Sequence, residues 1–118
     1  MKLYHKGSGK KYTPPKHFDM TSEVVFGPDS GCNNAAISIS TLKKGAGSDD
    51  DVHEVSDQIF YILQGAMNVY AEGKFLHRVS AGDAIMIEAG DIHAVLNEGD
   101  EDCIFYSVTT PPIEDRMK

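Results

Sequence analysis

The chain has 118 residues, 41% of them hydrophobic and 25% charged, with no Trp and a formal net charge of -7. This is enough material for one domain with a modest core and too little for two. The acidic balance, concentrated in SDDDVHE (48–54) and NEGDED (97–102), argues against nucleic acid as the main partner, and no apolar run approaches the ~20 residues that span a bilayer.

The first residues, MKLYHKGSGKKY, are basic but lead into no apolar stretch or small-residue cleavage site. They do not read as a secretory signal, so a cytoplasmic protein is expected. Residues 1–20, with Pro14 and Pro15, predict an extended N-terminal arm carrying Tyr4, Tyr12 and Phe18 as anchors. The remainder, 21–118, predicts a single barrel domain.

From residue 22 onward, short β-rich runs alternate with turn clusters. SEVVF (22–26) precedes GPDSG, and NAAISISTL (34–42) precedes KKGAGSDDD. QIFYILQ (58–64), AMNVYAE (66–72) and KFLHRV (74–79) follow, separated by Gly65 and Gly73, with Glu72-Gly73 as a hairpin turn. AIMIE (84–88), HAVLN (93–97) and DCIFYSVTT (102–110) complete the set, and Pro111 and Pro112 end it. About eight strands at spacings of roughly 8 to 12 residues predict an all-β sandwich or barrel with little helix.

The two cysteines do not form a disulfide framework. Cys103, inside an apolar run, is expected in the core and Cys32 in a loop. His5, His17 and His77 stand outside any motif and are assigned structural or solvated roles.

Two other histidines do sit in motifs. Gly65 lies seven residues after Gln58, His53 lies five before it, and Asp51 lies two before His53. A second series runs Gly82, Glu88, Gly90, His93 and Asn97. These two series resemble the paired motifs of small single-domain cupins of the cupin 2 type. Asp51 takes the place of the first motif's leading His, Gln58 that of its Glu, and Glu88 that of the second motif's Pro. YTPP (12–15) and TTPP (109–112) are similar to the same family.

The resemblance implies an antiparallel jelly-roll β-barrel holding a divalent transition metal on Asp51, His53, Gln58 and His93. Alternation along a strand turns Asp51 and His53 to one side and Val52 away. Gly90 permits a sharp turn before His93. Exchanging His for Asp and Glu for Gln keeps the formal ligand charge at minus one. Asp57 ranks below Gln58 because alternation places it on the opposite face. Fe, Mn, Ni, Zn and Co all suit a set of imidazole and oxygen donors.

Phe60 and Ile62 are expected beside Gln58 in the cavity, and Val95 beside His93. Tyr61, Tyr70 and Tyr106 are candidates for a hydroxyl near a ligand. Such a pocket suits a small molecule. The leading function is a metal-dependent enzyme acting on a small oxygenated metabolite by isomerisation, ring opening or a lyase step. Gln at position 58 is similar to cupins that open unsaturated sugar acids. The alternatives are a non-haem Fe(II) dioxygenase, since two imidazoles and one carboxylate match its facial triad, and a non-catalytic small-molecule-binding cupin. A homodimer is expected, with the arm crossing to the partner.

Overall fold

The structure is a computed structural model, and it describes residues 1–113; the end of the expected barrel domain, 114–118, lies outside them. Nine strands follow in chain order: β1 (Lys11–Tyr12), β2 (His17–Phe26), β3 (Ala36–Ser48), β4 (Asp57–Gln64), β5 (Ala66–Ala71), β6 (Lys74–Ser80), β7 (Ala84–Ile87), β8 (Ala94–Leu96) and β9 (Cys103–Thr110). The only helical turn among the described residues is a short 3-10 segment, Pro28–Ser30. The fold is the expected all-β antiparallel barrel.

Hydrogen-bonded neighbours run β6-β5-β8-β3-β9-β4-β7, with β2 on the flank of β3 and β1 on β2. β6 and β7 stand at the two ends of that order, so the barrel is nearly closed. Six of the eight expected runs coincide with strands to within one residue. The exceptions in length are β2, which begins five residues earlier at His17, and β3, which continues through the expected turn cluster to Ser48. Its far end pairs with β8 at Gly47 opposite Leu96, and a Cβ at Gly47 would meet the Val95 carbonyl oxygen at 2.5 Å. Glycine there permits close approach of two backbones, not a turn.

Residues 11–20 do not stand off as a free arm. Lys11 and Tyr12 pair with Glu23 and Ser22 of the same chain, and β2 begins at His17, opposite Ser48. Tyr4 donates to the Glu23 carboxylate, and Gly9 N–H reaches Glu23 Oε2 at 2.8 Å. The N-terminal segment therefore lies along its own β2.

The core forms where the inward faces meet: Leu42, Ile62, Met67, Cys103 and Phe105 have no exposed surface. Phe60 and Phe105 pack edge to face, with centroids 5.0 Å apart. On the β3-β9-β4-β7 face, Ala36, Thr109, Gln58 and Ile87 form one inward cross-strand row, and Ser38, Ser107, Phe60 and Ile85 form the next. Gln58 thus enters the barrel interior by register.

Candidate metal centre

After β3 the chain leaves regular structure until Asp57, with one exception. Asp51 forms an isolated antiparallel bridge with His93. Asp51 N–H donates to the His93 carbonyl at 2.8 Å, and His93 N–H returns the bond to the Asp51 carbonyl at 2.9 Å. Gly90 N–H donates to the His53 carbonyl at 2.8 Å from a left-handed backbone, φ 91°. Three backbone bonds thus staple the two motifs together, and the turn before His93 needs glycine as expected.

The side chains converge accordingly. Asp51, His53 and His93 are 7%, 7% and 6% exposed, while Val52 between them faces out at 40%. The His53 and His93 rings lie 5.1 Å apart at 58°. Asp51 Oδ1 accepts from Val52 N–H at 2.9 Å and lies 3.5 Å from Lys16 Nζ. Its Oδ2 lies 3.9 Å from His53 Nε2.

Gln58 occupies a neighbouring position. It is half-buried, and its amide donates to Thr109 Oγ1 across 3.5 Å, the long limit of such a bond. It lines a cavity of about 40 Å³ together with Tyr12, His17, Ser38, Phe60 and Thr109. Ile113 borders both this cavity and the pocket over His53. Asp51, His53 and His93 are therefore neighbours, and Gln58 opens into the adjoining cavity. Among the described residues, no group of three or more His, Cys, Asp or Glu side chains stands in an arrangement that could hold a metal ion.

Residues 38–109 match the family described as Cupin domain. The chain belongs to the cupin family. No curated protein matches this cupin. Among solved structures it is similar to the polyketide cyclase RemF from Streptomyces resistomycificus, with a TM-score of 0.81 and 21% identity, over 95% of this chain and 80% of that one. It is also similar to KdgF from Halomonas sp., with a TM-score of 0.78 and 22% identity, over 97% of this chain and 98% of that one. A sugar phosphate isomerase of the cupin superfamily from Silicibacter pomeroyi gives 0.76 and 20% identity, over 94% of this chain and 76% of that one. At these identities the likeness shows the fold.

The residues at the expected positions are of types that can ligate a metal. His93 Nδ1 lies 3.0 Å from the Asp91 carbonyl oxygen, which can only accept, so the ring proton sits on Nδ1. That leaves the lone pair on Nε2, the tautomer in which an imidazole can bind a metal. The 3.9 Å between Asp51 Oδ2 and His53 Nε2 exceeds a hydrogen bond. Two donors about 2.1 Å from one cation stand about 3.0 to 3.4 Å apart, so closure asks for a shift of less than an ångström.

Other expectations fall out by register. Phe60 lines the cavity beside Gln58 as expected, whereas Ile62 and Val95 are packed in the hydrophobic core and do not line it. Asp57 is turned away and accepts from Ala89 N–H at 2.9 Å, and Glu88 is exposed. The candidate tyrosines stand elsewhere. Tyr61 and Tyr106 are on the outer face, 46% and 38% exposed. Tyr70 donates to Glu98 and holds that carboxyl below the usual range. The tyrosine that lines the cavity is Tyr12, its hydroxyl 3.1 Å from Ser38 Oγ. Tyr12 and His17 carried no motif signal, because the register of β1 and β2 alone brings them to Gln58.

Proposed function

We propose that this cupin binds a divalent transition metal through Asp51, His53, Gln58 and His93. We further propose that it acts as a metal-dependent enzyme on a small oxygenated metabolite, a sugar acid being the leading class, by isomerisation, ring opening or a lyase step. The observation that carries this reading is the buried meeting of one carboxylate and two imidazoles, one of them held in the ligating tautomer by Asp91. Bound there, the metal supplies a Lewis acid for a substrate carbonyl or hydroxyl. The chain's own part is to position and to select. The Asp51–His93 bridge fixes two donors at one depth. The pocket of about 380 Å³ over His53, lined also by Val52, Val55, Ser56 and Ile113, has the room a small metabolite needs. The likeness to a sugar phosphate isomerase supports such a substrate class.

The second reading is an Fe(II) dioxygenase, favoured by the two-imidazole, one-carboxylate composition. One series of measurements separates the two. Elemental analysis of purified protein is expected to find about one transition metal per chain, mostly lost in His53→Ala and His93→Ala. Turnover of sugar acids should stop with a chelator, return with metal and consume no oxygen. Full metal occupancy in both variants would remove the proposed ligand set, and stoichiometric oxygen uptake would select the dioxygenase. We also place the protein in the cytoplasm as a homodimer.

A further inference from the structure

The barrel has a seam where β6 and β7 meet. The turn at 81–83 joins them, with Asp83 N–H donating to the Ser80 carbonyl at 2.8 Å. Among the described residues they do not pair, and each ends the hydrogen-bonded order on its own side. His77 and Val79 lie opposite Val69 and Met67, whose side chains are in the core. Alternation therefore turns His77 inward, yet at the seam it stays exposed. Ile85 and Ile87 of β7 face the same interior, opposite Phe60 and Gln58.

Between these two edges lies a pocket of about 310 Å³. Leu76 and His77 line one side, Ile85 and Met86 the other, and Ile92 and His93 the end before β8. Its volume is at the small end of the range for ligand sites. Leu76, Met86 and Ile92 are 44%, 54% and 41% exposed around it. An apolar rim on free strand edges invites association, but addition of another strand is disfavoured here. A bulge between the Val69 and Tyr70 pairings leaves Leu76 out of the ladder, Lys74 and Arg78 stand along β6, and β7 has only four residues. Bulges, short strands and charged side chains blunt an edge against a second chain. The concavity itself stays open to a molecule small enough to enter it.

The walls set the chemistry of that molecule. Aliphatic side chains on both sides of a slot between two strands suit a flat apolar ring. His77, whose ring has no hydrogen-bond partner among the described residues, adds a polar contact that can donate or accept. We propose that the seam pocket binds an aromatic ring carrying a hydroxyl, with Leu76 and Ile92 packed on the ring and His77 hydrogen-bonded to the hydroxyl. This subsite goes beyond the metal reading and does not depend on it.

The test uses the full chain as purified, with 2-naphthol and naphthalene as probes and dissociation constants from equilibrium dialysis. Metal content, light scattering and circular dichroism are measured alongside. Wild type is expected to bind about one probe per chain, 2-naphthol the more tightly. Leu76→Asn with Ile92→Asn should weaken both probes by about tenfold or more and keep the β-sheet spectrum. His77→Phe keeps the wall apolar, so it should weaken 2-naphthol about fivefold and leave naphthalene unchanged. Val55→Asn, at the rim of the pocket over His53, should change neither. A wild type that binds neither probe overturns the proposal, as does unchanged affinity in the double variant or loss of binding in Val55→Asn. Equal weakening of both probes in His77→Phe would overturn the contact assigned to His77. A double variant that turns a dimer into a monomer would make the seam a subunit contact and overturn the proposal too. Protein free of metal that still binds both probes would support the subsite while ending the metal reading.

Discussion

At the scale of single residues, environment separates side chains of the same type. Cys103 is fully buried on β9, and desolvation pushes its thiol up to about 11. Cys32 is partly exposed. Thiolate is the reactive form, so an inert buried thiol and an accessible one should coexist. A thiol reagent at pH 8 is expected to modify one cysteine in the native protein, Cys32 by peptide mapping, and both after denaturation. Labelling of Cys103 in folded protein would contradict its burial. The histidines divide in the same way. His53 and His93 were legible because motif spacing marks them, and the Asp51–His93 bridge realises that spacing. His17 was not legible: its place beside Gln58 depends on the pairing of β2 with β3, His17 opposite Ser48, which no local pattern records. Tyr12 follows the same rule.

At the scale of elements, β3 carries the least familiar pattern. Its inward positions, Ser38 and Ser40, are polar and buried, while Ile37 and Ile39 are only half-buried on the outside. Alternation predicted a strand there but not which face was the core. Ser22 Oγ and Ser40 Oγ satisfy one another at 2.7 Å inside the barrel, so these hydroxyls carry no unpaired-group penalty. The true core lies further along, where Ser40, Phe105 and Ile62 share a row. Phe105→Ala is expected to cost about 3 to 5 kcal/mol, read as a shift in denaturant midpoint at constant slope. A loss below about 1 kcal/mol would show that this row is not the core. The misread segment 43–48 has a related cause. Its glycines and lysines look like a turn, yet Gly45 is left-handed at φ 80° and Gly47 lets β3 press against β8. Glycine marks close approach and turning alike, and sequence does not separate the two.

At the scale of the whole molecule, the inverted pattern of β3 leaves a consequence outside the barrel. Ile37, Val108, Ile59 and Met86 form one outward cross-strand row, and Ile39, Tyr106, Tyr61 and Ala84 form the next. Met86 is 54% exposed and Tyr61 46%. Neither row holds a charged side chain, although the chain carries many. A contiguous apolar face across four strands is the mark of an association site, and two-fold pairing would set this face against itself. The N-terminal segment does not cover it fully, since Tyr4 and Gly9 are tied to Glu23 at its margin. The homodimer is therefore expected to form through this face, not through exchange of the arm. Light scattering at micromolar concentration should give twice the chain mass. Tyr61→Lys with Tyr106→Lys, placing two like charges at the centre of the contact, should give the monomer while keeping the β-sheet circular dichroism. Deleting residues 1–9 should leave the dimer intact. A wild type of single chain mass would end the proposal, and a double variant that remains dimeric would move the interface elsewhere.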